Sequence, residues 1–175
     1  MDLDKIKCLS IKYNGLASAI MCTVKISTPL ALVNAGIPAA QLTTIALWDT
    51  GATNSAITFL AAKKLGLVAT GKINASGLGG TIQKDRFLVD LELPNVISVP
   101  NLSVTEIDNP KDEQGNLLEP FGILIGMDII CRGDFSITHS EGVTVMSFRT
   151  PSIVTTDYVR EWNARKAAEM KGRRH

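Results

Sequence analysis

The chain has 175 residues, with 18 Lys and Arg against 17 Asp and Glu and a formal net charge of +1. That length suffices for one well-buried domain and is too short for two full ones. The balanced charge argues against a dedicated nucleic-acid binder, although Arg160 to Arg174 is locally basic.

Residues 1–17 read as an N-terminal extension, without the pattern of a secretory signal. Ser18 to Ser27 reads as a strand, and after a wide loop from Pro29 the stretch Gln41 to Trp48 reads as another. Asp49-Thr50-Gly51-Ala52-Thr53 follows directly. Ser55-Ala56-Ile57 continues extended, and Thr58 to Leu65 reads as a short helix with Thr58 as N-cap and Gly66 just past its end. Leu67 to Ala75 and Thr81 to Leu93 read as the arms of a hairpin whose tip is Gly77-Leu78-Gly79-Gly80. In the second arm Phe87, Val89, Leu91 and Leu93 point one way, and Leu88, Asp90 and Glu92 the other. An extended region from Val96 to Ile107 leads into a turn-rich, acidic loop, Asp108 to Pro120. Its carboxylate spacing fails the calcium-loop template.

The apolar run Phe121 to Ile130 is broken by Gly126 and contains Asp128, a carboxylate that must be hydrogen-bonded or paired in such surroundings. Asp134 to His139 and Val143 to Phe148 form a hairpin around Ser140-Glu141-Gly142, with His139 read as a surface or satisfied histidine. Thr156 to Lys171 reads as a helix capped by Thr156 or Asp157. Val159, Trp162, Lys166 and Met170 give it a stripe most simply packed on the body of the protein.

Cys8, Cys22 and Cys131 are odd in number and widely spaced, and only His139 and His175 are present, so no zinc constellation can be assembled. The cysteines read as buried small hydrophobes in a reducing compartment. No apolar stretch approaches membrane-spanning length. The expectation is a soluble, cytoplasmic protein without metal or cofactor.

Asp49-Thr50-Gly51 carries the chemistry. A carboxylate at the end of a buried strand, followed by a small hydroxyl residue and a glycine, suits a tight loop that presents the carboxylate to a cleft. The tripeptide alone is an ordinary turn in most chains. It is joined here, in order, by a short helix, a glycine-tipped hairpin suited to a movable lid, and the strand-Gly-x-Asp pattern Leu124-Ile125-Gly126-Met127-Asp128. With these in place, the stretch from about Ala19 to about Phe148 resembles the retropepsin-like aspartic proteases. Three departures stand out: Trp48 replaces a smaller aliphatic residue, the loop from Asp108 to Glu119 is long, and so is the loop from Pro29 to Gln41.

The resemblance implies a mainly β, single-lobe acid protease fold: a closed barrel-like body, a flap hairpin, and one short helix after the closing motif. Here it occupies residues 18–150 and is followed by an added C-terminal helical tail, 151–175. Asp49 would be the catalytic aspartate, with Thr50, Gly51 and Ala52 supporting the active-site loop. Thr53 and the flap tip Gly77, Leu78, Gly79 and Gly80 would bind substrate. One aspartate loop per chain implies a homodimer with its active site on the two-fold axis. Two Asp49 carboxylates sharing one proton would activate a water against a peptide bond in an extended polypeptide. The alternative is a peptide-binding or dimerisation module of the same fold without turnover. A nucleic-acid accessory role through Arg160 to Arg174 ranks below both.

Overall fold

Among the residues described by the computed structural model, 5–77 and 80–172, ten strands and four α-helices alternate along the chain. In order they are β1 (Lys7–Asn14), β2 (Ile20–Ser27), α1 (Leu30–Asn34), β3 (Gln41–Trp48), β4 (Ala56–Thr58) and α2 (Phe59–Lys64). Then come β5 (Gly71–Gly77), β6 (Gly80–Leu93), β7 (Ile97–Ile107), β8 (Ile123–Ile125), α3 (Met127–Ile130), β9 (Asp134–Ser140), β10 (Val143–Thr150) and α4 (Tyr158–Gly172). The fold is mainly β, as the sequence pattern predicts.

The larger sheet runs β2-β3-β8-β4-β7-β6-β5, and β2 also pairs with β6. That extra pairing, Lys25↔Glu92 to Ser27↔Asp90, closes six of its strands into a barrel and leaves β5 outside, attached only to β6. Closure removes the free edges an open sheet would expose. The alternation read in the second hairpin arm is the reason β6 can wrap: Phe87, Val89, Leu91 and Leu93 are all buried. They meet Ile26, Ile57, Val104, Ile123 and Ile125 in one core.

The hairpin β5–β6 extends from this barrel, with a regular ladder from Gly71↔Arg86 to Gly77↔Gly80. Of the expected flap tip, Gly77 and Gly80 form the last pair; Leu78 and Gly79 lie outside the described residues.

A second sheet, β1-β10-β9, packs beside the barrel. β1, in the stretch expected to be an N-terminal extension, is the largest addition to the expected fold. Leu9, Ile11 and Tyr13 alternate with exposed Ser10, Lys12 and Asn14, the two-residue period of a strand with one face on the core. Partnership with β10 along eight register positions, Lys7↔Thr150 to Asn14↔Val143, makes it a strand. Tyr13 ties this sheet to β2 through its hydroxyl, which accepts from Met21 N at 2.8 Å and donates to Met21 O at 2.9 Å.

Trp48 explains how the two sheets join. Its indole is buried between them, stacked on Phe135 at 5.6 Å and tilted against Phe148 at 5.3 Å between ring centroids, with Nε1 donating to Cys22 Sγ at 3.3 Å. A smaller aliphatic side chain would not span this gap.

Three expectations need correction. The loop from Pro29 to Gln41 contains a short helix, α1, nucleated by the Pro29 carbonyl and ended at Gly36. Cys8 and Cys131 are exposed and only Cys22 is partly buried, because Cys8 faces outward on an edge strand and Cys131 caps the exposed end of α3. The stripe on α4 does not pack on the body. Residues 151–170 are all exposed, Trp162 at 57% and Val159 at 70%. Asp157 does cap this helix, its carboxylate accepting from Arg160 N at 3.0 Å.

Candidate active site

Strands β3 and β4 flank the Asp49 loop but do not pair with each other. Strand β8 lies between them, parallel to β3 and antiparallel to β4. The chain therefore leaves β3 at Trp48, arches over the end of β8, and returns as β4. An arch over a strand end needs partners for its backbone groups, and the end of β8 with the first turn of α3 supplies them.

Asp49 N donates to Ile125 O at 2.9 Å, Met127 N to Ala52 O at 2.8 Å, and Asp128 N to Thr53 O at 3.2 Å. Ala52 N closes the turn onto Asp49 O at 3.3 Å. The Asp49 carboxylate accepts from Gly51 N at 2.8 Å through Oδ1 and is half-buried, with Thr50 and Gly51 exposed beside it. That bond fixes the direction of the carboxylate, whose second oxygen has no hydrogen-bond partner among the described residues. Among the described residues the Thr50 hydroxyl has no hydrogen-bond partner, and it sits on the open surface of the loop.

The closing motif holds the arch by a buried polar knot that the sequence reveals only in part. Asp128 Oδ1 accepts from Ser55 N at 3.0 Å and from Ser55 Oγ at 2.7 Å, and Ser55 Oγ in turn accepts from Gly126 N at 3.1 Å. Asp128 is thus hydrogen-bonded, as its apolar context requires. Ser55 is fully buried and went unnoticed in the sequence reading. A serine directly between the loop and an apolar strand is the signal that could have found it. Gly126 must be glycine for a steric reason, since a Cβ there would lie 2.6 Å from Asn54 C and 2.9 Å from Ala52 O. The close approach lets the arch rest on β8.

The predicted site residues divide by location. Asp49, Thr50, Gly51, Ala52 and Thr53 form one continuous loop braced by α3. Gly77 and Gly80 end the separate β5–β6 hairpin, and Leu78 and Gly79 lie outside the described residues. His139 stays on the second sheet, bonded through Nδ1 to Thr144 Oγ1 at 2.9 Å. No group of three or more potential metal ligands occurs among the described residues.

Residues 33–129, more than half the chain, match the family model for aspartyl protease. No curated protein matches. Among solved structures, the chain is similar to a retropepsin-like aspartic protease from Rickettsia conorii, with a TM-score of 0.46 and 14% identity over 83% of this chain and 96% of that one. It is also similar to the retroviral protease-like domain of Ddi1 from Leishmania major, with a TM-score of 0.40 and 15% identity over 71% of this chain and 91% of that one. Both likenesses are distant, and the assignment rests on the sequence match. Its matched stretch contains the Asp49 arch, the hairpin and the closing motif, and the chain belongs to the aspartyl protease family, with a single retropepsin-like lobe.

Proposed function

We propose that the protein is an aspartic endopeptidase that works as a homodimer, with one Asp49 from each subunit. The observation that carries this reading is the Asp49 arch itself. A half-buried carboxylate is held by Gly51 N, on a loop braced by Ile125, Met127 and Asp128, beside exposed Thr50 and Gly51. Such bracing favours preorganised acid–base chemistry over a mobile surface carboxylate. Each chain contains one Asp-Thr-Gly sequence, so a second copy would supply the second carboxylate.

Two such carboxylates close together share one proton over a broad pH range, because both cannot ionise at short separation. The ionised member takes a proton from the bridging water, which attacks the peptide carbonyl. The protonated member passes its proton to the carbonyl oxygen, giving the gem-diol. This collapses to the acid as the C–N bond breaks, with the carboxyl that took the water's proton delivering it to the leaving nitrogen. Thr50, exposed and unpartnered in the described chain, would donate across the axis to the partner loop. Gly51 and Ala52 keep the loop low enough for the two carboxylates to approach, and Thr53 with the tip Gly77 to Gly80 would line and cover the extended peptide.

Residues 18–150 would form the catalytic lobe, the segment before them adding β1 and the segment after them the helical tail. Among the described residues no helix is long and apolar enough to cross a membrane. With three free cysteines, two of them exposed, a reducing, cytoplasmic setting is our proposal.

The test is cleavage of a diverse peptide pool from mildly acidic to mildly alkaline pH, wild type against Asp49→Asn, at two protein concentrations. The expected result is cuts between apolar residues that vanish in the variant, with specific activity rising with concentration. Turnover surviving in a clean Asp49→Asn preparation would overturn the assignment. A well-folded dimer that binds peptides without cutting them would favour the binding-module reading.

A further inference from the structure

The β6–β7 ladder stops short of the ends of both strands. Pairing runs from Leu93↔Ile97 to Arg86↔Thr105 and then ceases, although both strands continue, β6 to Gly80 and β7 to Ile107. Extending the register by one position sets Asp85 opposite Glu106. Both positions are in phase with the core. On β6 the buried residues are Leu93, Leu91, Val89 and Phe87, and the next inward position is Asp85. On β7 they are Leu102 and Val104, and the next is Glu106.

The core column thus ends in two carboxylates that line one cavity of about 390 Å³ with Phe59, Ala62, Leu67 and Phe87. Like charges directly opposite each other disfavour a strand pair, and inward-pointing charges are a general means of ending a sheet edge. Beyond this fork β6 turns wholly to β5. Arg86 O accepts from Thr70 N at 2.8 Å and from Thr70 Oγ1 at 3.1 Å, where the β5–β6 hairpin begins.

We propose that the Asp85/Glu106 pair is the hinge of the hairpin and makes its stiffness pH-dependent: ionised, the pair holds the fork open, and protonated Glu106 lets β6 and β7 zip by a further pair. The proposal takes this hairpin as the lid of the protease read above, and so names a regulation of that site.

The groups facing Glu106 support the direction. Burial, the Asp85 carboxylate and the Asp108 carboxylate push Glu106 above its ordinary range, while Lys84 opposes them. Lys84 is engaged by Asp108 at 2.7 Å, one step further along the fork. Lys63 of α2 lines the same cavity, but its Nζ lies 6.0 Å from the Phe59 ring centroid. Lys111 lines the adjoining cavity that Glu106 shares with Asp108. β4, the other neighbour of β7, contributes Ile57 at this register and no charge, whereas β5 sets Lys72 opposite Asp85, a cation that offsets part of the pair's repulsion.

The test uses the full chain with Asp49→Asn, so that no cleavage occurs and failure of the protease reading leaves the measurement intact. Hydrogen-exchange protection factors of the backbone amides of Lys84, Asp85, Glu106 and Ile107 are measured at about pH 5 and about pH 7.5, either side of a raised carboxylate. Protection is expected to rise about two- to ten-fold at the lower pH, the range of one net hydrogen bond. Glu106→Gln and, independently, Asp85→Asn should show the high protection at both values. Equal protection at the two pH values in the parent protein would overturn the proposal, as would a pH dependence surviving in both variants. A pH-dependent fork here, together with a wild-type chain that cuts no peptide in the cleavage assay above, would refute the protease reading and leave the hinge standing.

Discussion

Asp49 and Ser55 do opposite things with polar groups six residues apart. Asp49, half-buried, accepts from Gly51 N through one oxygen and leaves the other unbonded among the described residues, so its chemistry is available. Ser55 is fully buried and uses its hydroxyl twice, donating to Asp128 Oδ1 and accepting from Gly126 N. Ser55→Ala leaves Gly126 N without its acceptor and removes one donor from Asp128, which should cost about 1–3 kcal/mol of stability. Chemical denaturation would measure it, and a loss near zero would show that water replaces the hydroxyl. The knot should also align the loop, so residual activity in Ser55→Ala should fall more in kcat than in KM. Asp49→Asn differs in kind. It keeps the acceptor for Gly51 N and should leave the melting temperature close to wild type while abolishing cleavage.

At the scale of elements, two short contacts decide where the chain can go. Gly126→Ala pushes a methyl group into the backbone of Asn54 and Ala52, which hydrogen bonds to α3 hold in place. Overpacking against backbone that cannot yield should cost about 1–3 kcal/mol or more, with activity lost ahead of global unfolding. Asp134 governs the other junction. Its carboxylate accepts from Ser152 Oγ, from Ile153 N at 3.1 Å and from Arg149 Nε at 2.8 Å, fastening the segment after β10 to the start of β9. The Ser152 hydroxyl, then the Ile153 amide and the Arg149 guanidinium, hold Asp134 well below the ordinary carboxylate range. A depressed carboxylate contributes stability that is present above its unfolded value and lost as pH falls below it. Asp134→Asn should therefore loosen residues 151–157 at neutral pH, read as faster limited proteolysis there with the barrel intact. Unchanged proteolysis would mean that β10 alone holds the segment. Glu106 has the opposite sign. Its raised value means the ionised form opposes folding, so its contribution improves as pH falls through that value and is absent in Glu106→Gln.

For the whole molecule, the exposed Asp49 loop and the exposed tail set the terms. The loop lies on the surface of one lobe with Thr50 exposed, and activity should fall linearly on dilution while dimers predominate and with the square of concentration once monomers do. Strict proportionality between rate and concentration down to the lowest measurable level would point to a dimer too tight to separate, or to a monomeric enzyme. Sedimentation on the same samples distinguishes these. The tail places Trp162 and Val159 in solvent. Its helix draws on Asp157 at the first turn and on Lys166 over the Trp162 ring at 5.3 Å, rather than on contact with the barrel.

Local periodicity and turn chemistry were enough to place β3 over Gln41–Trp48, α2 with Thr58 as cap, the alternation of β6, the long acidic loop and the 134–150 hairpin. Each depends on residues adjacent in sequence, and each gains more from its own pattern than from distant neighbours. The Asp49 loop was legible for the same reason, as a short motif with its partners in fixed order. Other features were decided only by folding. Ser55 acquires its role by meeting Asp128 across 73 positions. α4 carries an apolar stripe in sequence yet lies exposed, because a stripe states what a helix can bury and not whether a surface is there to receive it. The fork at Asp85 and Glu106 belongs to the same class. Each carboxylate alone is an ordinary polar residue, and only the register between two strands, one position past its last pair, brings the two to one cavity at the end of the core.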